Sequence, residues 1–327
     1  MDVNHEPNGI LIVCEETDSG IHRVAFELLN KAQQIAKKII QPVECIFISS
    51  GDIDVNELGE RGADKVFVIE NKAFDNPLES LLKENLVAFI KERKPYIVLF
   101  GATELGRSLA PRVACALETG LTADCIDLII NENNEFIQVR PAFSDNILAH
   151  IKTVTSPKMS TVRYHEFEEA SKVKDVKCKI INIPPYSLIE ENSSVLKTED
   201  LGEKSISEAE LIVSVGRGLK AKEDLAIFKE LADKLGGMLG VSRAIVDAGI
   251  APSNIQIGYS GHRVKPKIYI ACGISGAPQH LSGMKESDTI IAINKDPSAP
   301  IFQIADIGYV GDMYEIVPML MKKIKRR

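Results

Sequence analysis

Five clusters of glycine and polar residues in the second half of the sequence have the composition of ligand-binding turns. In Val215-Gly216-Arg217-Gly218 the glycines let backbone amides approach an anion, and the arginine offers a rigid fork suited to phosphate. The same four residues read equally well as a tight turn with a surface arginine. Gly273-Ile274-Ser275-Gly276-Ala277-Pro278-Gln279-His280 follows an apolar run and leads into a helix. Such a turn aims N–H groups and a helix N-terminus at one point, which suits a pyrophosphate. It lacks the G-x-G-x-x-G spacing of the standard dinucleotide fingerprint, and a lone histidine such as His280 is more often structural than catalytic.

Gln256-Ile257-Gly258-Tyr259-Ser260-Gly261-His262 offers an amide, a phenol, a hydroxyl and an imidazole, although a plain surface loop has the same composition. Ser242-Arg243 precedes a short helix over 244–248, where Ser242 is a natural N-cap. Asn294-Lys295-Asp296-Pro297 closes an apolar run in a polar turn. Together the five clusters predict one extended, phosphate-bearing ligand lying across this part of the chain. Nothing resembles a Ser-His-Asp triad, paired glycosidase carboxylates or a Walker loop. Ser50-Gly51-Asp52 lacks repeated glycines and a following lysine, and reads as a turn.

The elements that must position these turns are alternating strands and helices. GILIVC at 9–14 is a continuous apolar run, the pattern of a strand buried on both faces. From Ile21 to Ile39 apolar residues recur at three and four, an amphipathic helix. Strands at 43–48 and 66–69 follow, then a helix from Pro77, a strand in YIVLFGA, and a helix over 104–118. This alternation predicts crossover units and a parallel sheet with helices on both faces. After Asp124 the runs shorten, and NENNEFIQVRPAF, ILAHIKT and MSTVR read as an added antiparallel set finishing the first domain. The stretch 184–207, with adjacent prolines and acidic and polar residues, reads as a linker. Alternation restarts with LIVSVG at 211–216, a helix ended by Gly236-Gly237, and strands in KIYIACG, TIIAIN and IFQIA. The expected fold is therefore α/β with two domains, 1–183 and 208–327. Each has a mainly parallel sheet flanked by helices, and the first is extended by antiparallel strands.

Composition narrows the function. The 327 residues carry 39 basic and 46 acidic side chains, a net charge of −7. That balance argues against nucleic acid, whose phosphates demand a basic face. Six cysteines fall in no CxxC, and none has a histidine at ligand spacing, so no zinc or iron–sulfur site is expected. No 18-residue apolar stretch and no basic-then-apolar leader occur, so a cytoplasmic protein without a membrane span is expected.

The motifs VGRGLK, VSRAIVDAG, QIGYSGH, KIYIACGISGAPQHLSGM and AINKDPSAPIFQIADIGYVGD, with GATELGRSLAPRVA, GLTADC, RPAF and MSTVR before them, make the chain similar to electron transfer flavoprotein alpha subunits over nearly its whole length. The resemblance implies FAD held by the second domain and a heterodimer with a beta subunit. It implies electron transfer from an acyl-CoA dehydrogenase, another flavin dehydrogenase or NADH to a partner flavoprotein, a ferredoxin or a quinone oxidoreductase. One subclass bifurcates electrons with a second FAD in the beta subunit, and others hold AMP there.

By resemblance, FAD contacts come from Arg217, Ser242, Arg243, Gln256, Ile257, Gly258, Tyr259, Ser260, Ser275, Gly276, Ala277, Pro278, Gln279, His280, Asn294, Asp312 and Met313. Arg243 would lie beside the isoalloxazine ring, Ser260 would donate to flavin N5, and His280 would sit near the pyrimidine carbonyl. Tyr259, Ser260 and Pro278 stand where glutamine, threonine and isoleucine are commoner, and Tyr164-His165 replaces a usual Pro-Gly. The first domain is expected to hold no nucleotide and to serve as interface. An adenine-nucleotide regulatory module without redox chemistry is the competing reading.

Overall fold

The structure is a computed structural model that describes residues 8–17, 20–51, 53–75, 78–142, 147–172, 178–188 and 205–324. It divides into two compact units, Met1–Glu199 and Asp200–Arg327. Most of the expected linker, 189–204, lies outside the described residues, as do Asp52 and Pro77.

In the first unit the chain runs β1 (Ile10–Cys14), β2 (Glu16–Thr17), β3 (Gly20–Ile21), α1 (Val24–Ile39), β4 (Val43–Ser49), α2 (Asn56–Glu60), β5 (Lys65–Glu70), α3 (Glu79–Arg93), β6 (Ile97–Gly101) and α4 (Glu104–Ala116). It continues through β7 (Leu121–Cys125), β8 (Asp127–Ile130), β9 (Phe136–Ala142), β10 (Ile147–Ile151), β11 (Lys158–Val162) and β12 (Lys179–Ile183). Seven strands form one parallel sheet in the order β12-β5-β4-β1-β6-β11-β7. Successive side chains of β1 point to opposite faces. Ile10, Ile12 and Cys14 join the core under α1, and Leu11 and Val13 join the core under α3 and α4. Both faces are covered, which is why the strand reads as an unbroken apolar run.

The antiparallel set is real but smaller than expected: β8, β9 and β10 form a three-stranded sheet. MSTVR does not belong to it. As β11 that segment is an interior parallel strand between β6 and β7. Its polar Ser160 and Thr161 are buried there because they have partners. Gln138 Nε2 donates to Ser160 Oγ at 2.7 Å, and the Asp124 amide donates to Thr161 Oγ1 at 2.9 Å. Gln138 ties the small sheet to the large one. Its Nε2 also donates to the Met159 carbonyl, while its Oε1 accepts from Thr122 and Thr153.

In the second unit the order is β13 (Leu211–Val215), α5 (Leu225–Leu235), β14 (Met238–Ser242), α6 (Arg243–Asp247), β15 (Gln256–Ile257), β16 (Ile268–Cys272), α7 (Pro278–Leu281), β17 (Thr289–Asn294), β18 (Ile307–Val310) and α8 (Met313–Lys323). These strands form a wholly parallel sheet in the order β15-β14-β13-β16-β17-β18. Gly236 ends α5 in the left-handed conformation, φ 70°, as its position predicts. IFQIA is not a strand. Pro300 starts a 3-10 turn over Pro300–Gln303, and the edge strand is the following IGYV. The proline fixes φ and removes a donor, which suits a helical first turn better than a ladder.

Among the described residues no helix is long and apolar enough to cross a membrane. No group of three or more His, Cys, Asp or Glu side chains there could hold a metal ion. All six cysteines are free, with Cys14, Cys45 and Cys272 buried as small apolar residues.

Replacing Gln138 by Ala should strand four polar partners between the two sheets. The expected loss is about 2–3 kcal/mol of stability, read from urea unfolding of the first unit. A loss below about 0.5 kcal/mol would show that the network does not secure the small sheet.

Candidate FAD site

The order of the second sheet reverses at β13: β14 lies on one side of it and β16 on the other. Ligands of open parallel sheets bind outside the carboxyl ends at such a reversal. The register brings these ends to one level, pairing Val215 with Val241 and Cys272, Cys272 with Ile293, Ser242 with Ile257, and Asn294 with Val310. All five polar clusters therefore emerge along one edge.

They enclose a groove of about 830 Å³, a size suited to a cofactor. Of the expected residues, the groove is lined by Arg217, Ser242, Arg243, Gln256, Ile257, Gly258, Tyr259, Ser260, Ser275, Ala277, Gln279, His280, Asn294 and Met313. Gly276, Pro278 and Asp312 are not part of its wall. Pro278 opens α7. Gly276 has φ +87°, and a Cβ there would lie 2.3 Å from the Ile301 amide nitrogen. Asp312 caps α8, its Oδ1 accepting from the Tyr314 amide at 2.9 Å. Its Oδ2 lies 3.2 Å from Lys295 Nζ and 3.8 Å from Lys220 Nζ. The capping amide, aided by both lysines, holds this carboxyl below its ordinary range. Asp312 thus holds Lys295, a groove residue, from behind.

The glycines form a cradle. A Cβ on Gly216 would stand 2.5 Å from the Gly273 carbonyl oxygen, and one on Gly218 would stand 3.0 Å from Gly273 Cα. Gly273 is itself left-handed, φ +62°. The turns after β13 and β16 thus lie backbone against backbone, with the Gly218 amide donating to the Gly273 carbonyl at 3.2 Å. Such close approach leaves room for a bulky anionic group beside main-chain donors.

Around the cradle, several polar side chains hold the loops in place. Asn294 Nδ2 donates to the Ile274 carbonyl at 2.8 Å, and its Oδ1 accepts from the Asp296 amide at 3.0 Å. The Tyr259 amide donates to the Gln279 carbonyl at 2.7 Å. Gln256 Nε2 donates to Ser260 Oγ at 3.1 Å. Since that bond uses an acceptor lone pair, the Ser260 hydroxyl proton remains available as a donor. Ser242 occupies the N-cap position of α6, but its side chain makes no capping bond.

Charge lies at the rim. Arg243 Nε is 3.2 Å from Asp247 Oδ2, one helical turn along α6, and both side chains are largely exposed. Asp247 lines the groove but fell in none of the five clusters, whereas Lys295 and Asp296, which also line it, belong to the fifth cluster without being among the contacts that the resemblance implies. The four-residue spacing in SRAIVD was the available signal for Asp247. His280 is the opposite case, only 7% exposed. Burial pushes its pKa down to about 4, the Ile257 backbone offsetting this only in part. Its Nδ1 is buried without a hydrogen-bond partner.

A long groove, a glycine cradle, the cations Arg217, Arg243 and Lys295 among its lining residues and a buried imidazole nitrogen without a partner in hydrogen-bonding geometry fit a dinucleotide with a polar ring system. The first unit differs. Its cavity of about 570 Å³ at the carboxyl ends of β1, β4 and β6 is lined by Glu15, Glu16 and Asp75, and by no lysine or arginine among the described residues. That lining is unsuited to phosphate.

Sequence comparisons agree with the chemistry. The family described as "Electron transfer flavoprotein domain" matches residues 10–187, and the "Electron transfer flavoprotein FAD-binding domain" matches 205–285. The chain is 42% identical over 326 residues to the electron transfer flavoprotein subunit alpha of Thermoanaerobacterium thermosaccharolyticum, covering 97% of this chain and 98% of that one. It is also 42% identical to subunit LctC of a lactate dehydrogenase (NAD(+),ferredoxin) from Acetobacterium woodii, covering 97% of this chain and 77% of that one. An acryloyl-CoA reductase electron transfer subunit beta from Anaerotignum propionicum is 34% identical over 97% of this chain and 95% of that one. These matches define a flavin-binding electron carrier. The chain is a member of the electron transfer flavoprotein family, on the alpha-subunit side, and its cofactor is FAD.

Gly216→Ala should force the two turns apart, because its Cβ would meet the Gly273 carbonyl oxygen at 2.5 Å and Ile274 Cα at 2.8 Å, main-chain atoms that cannot swing away, besides the Ile274 side chain. FAD affinity should fall at least about tenfold, equivalent to roughly 1.4 kcal/mol, in a titration of apoprotein followed by flavin fluorescence. Unchanged affinity would show that the backbone contact does not shape the site.

Proposed function

We propose that the chain works as the FAD-carrying subunit of a heterodimer with an electron transfer flavoprotein beta subunit, passing electrons from a dehydrogenase to a second redox protein. The observation that carries this reading is the groove itself, where main-chain donors and cations converge without any side chain activated as a nucleophile. FAD supplies reversible uptake of one or two electrons. The protein holds it, orients it and sets its potential.

Residue roles follow from position. The turns at 216–218 and 273–275, with Arg217 and Lys295, receive the pyrophosphate. Ser260 presents a hydroxyl donor and His280 an uncharged imidazole toward the ring system. Ser242, Ile257, Tyr259, Ser275, Ala277, Gln279 and Met313 complete the wall, while Gln256, Gly258 and Asn294 fix the loop shapes. Arg243 brings a cation to the rim, where it favours the more negative, reduced cofactor. Asp247 partly cancels it. The pair therefore sets the potential through opposing terms.

The partner dehydrogenase is proposed to be an acyl-CoA or 2-hydroxy-acid dehydrogenase. The name of the similar lactate dehydrogenase subunit, which includes NAD(+) and ferredoxin, supports ferredoxin as an acceptor and electron bifurcation as the mode. Counting flavins in the purified heterodimer distinguishes the modes, since two would support bifurcation and one a simple shuttle. A colourless heterodimer carrying bound adenylate would instead favour the regulatory module.

Arg243→Ala should lower the flavin potential by roughly 30 mV, the two-electron equivalent of about 1.4 kcal/mol, and Asp247→Asn should raise it. Redox titration of the heterodimer reads both signs, and equal shifts of one sign would overturn the opposing roles. Expressed without its beta partner, the chain should hold FAD more weakly or aggregate. A monodisperse, fully yellow single chain would contradict this.

A further inference from the structure

The mechanism above uses His280 but not the side chain that grips it. Tyr269 is the second residue of β16 and is fully buried, yet its hydroxyl lies 2.9 Å from His280 Nε2. Two directions are open to that bond. Either the phenol donates to Nε2, or Nε2–H donates to the phenol oxygen, whose own proton then needs another acceptor.

The surroundings decide between them. The other candidate acceptor is Ser214 on the neighbouring strand β13, whose buried Oγ meets no full hydrogen-bonding geometry. It acts to lower the phenol pKa, the effect of a hydroxyl that donates toward the phenol oxygen rather than accepts from it. Burial raises the pKa of the Tyr269 phenol well above its ordinary value, so the proton stays on it and must be shared with a neighbour. His280 has the opposite tendency, its burial favouring the uncharged ring. An uncharged imidazole has one acceptor nitrogen and one donor nitrogen.

We propose that Tyr269 is a positioning residue for the cofactor site: its hydroxyl donates to His280 Nε2 and thereby fixes the imidazole proton on Nδ1. Nδ1, in a residue of the groove wall, meets no acceptor in full hydrogen-bonding geometry and feels only the partial pull of the Ile257 backbone, so it is then a committed donor. An unmet buried donor is costly, and a ligand that brings an acceptor removes the cost. His280 thus selects an acceptor edge, such as a ring carbonyl, and rejects a donor edge. This deepens the FAD reading and rests on it for the identity of the ligand. The tautomer itself does not depend on that identity. Any change at Tyr269 acts through His280, because the phenol is enclosed by the sheet.

The test uses the heterodimer, with FAD and stripped of it, carrying ¹⁵N-labelled histidine. In the unaltered protein, NMR should show His280 with its proton on Nδ1 and Nε2 as the acceptor nitrogen. Tyr269→Phe keeps the ring and its packing but removes the donor. It should mix the two tautomers, weaken FAD binding roughly fivefold, the order of one net hydrogen bond, and lower the flavin potential. Ser214→Ala, which removes the alternative acceptor, should leave the tautomer unchanged. A proton on Nε2 in the unaltered protein overturns the proposal even if Tyr269→Phe fails to fold. So does a folded Tyr269→Phe variant with the original tautomer and potential. If the tautomer is as stated but the stripped heterodimer takes up no FAD, the positioning role stands and the FAD reading fails.

Discussion

The second unit depends on one close contact, the main chain of the turn after β13 against that of the turn after β16. Both turns must leave their strands at the reversal of sheet order, and both must be glycine there. A Cβ on Gly216 would overlap the Gly273 carbonyl, while Gly273 adopts a backbone angle that disfavours side chains. The parallel register that aligns Val215 with Cys272 sets the height of this contact. From it follow the positions of Arg217, Ser275 and Met313. The loops carrying Ser260 and Asn294 are then tied to the neighbouring turns by their own hydrogen bonds.

Electrostatics divides the groove into two regions. Toward the sheet, the wall is uncharged: Ile257, Ile293 and His280 are largely buried, and the imidazole is held neutral by its surroundings. Toward solvent lie Arg243, Asp247 and Lys295. Exposed charges act at reduced strength because water and salt screen them, so they suit modest adjustment of a potential better than tight anchoring. Anchoring falls to the backbone donors, whose orientation the fold fixes and whose strength does not depend on pH.

Much of this was legible in the sequence because parallel strands and glycine turns leave strong signatures. GILIVC and LIVSVG gave buried strands, and the glycine clusters after LIVSV and IYIAC located the groove. Where the reading failed, the missing information was three-dimensional. MSTVR groups with the antiparallel strands because the runs after Asp124 are short, but partners on β9 and at Asp124 allow its polar Ser160 and Thr161 inside the main sheet. IFQIA looked like a strand because its composition is apolar, whereas Pro300 sets a helical turn. Gly276, Pro278 and Asp312 stand next to groove residues in the sequence and shape its turns without lining it. Tyr269 was hidden for the opposite reason. Within an apolar run its ring reads as core, and nothing in spacing joins it to a histidine eleven residues on.

The unequal exposure of the groove has a kinetic consequence. Electron tunnelling weakens steeply with distance, so a buried redox centre exchanges electrons fastest through its thinnest cover. On the sheet side, the wall is made of buried residues such as Ile257, Ile293 and His280. On the other side stand Tyr259, 62% exposed, and the largely exposed Arg243 and Asp247. With FAD in this groove, the thinnest cover within this unit would be the rim formed by α6 and the loop at 258–262. A redox protein approaching from behind the sheet would meet an insulator.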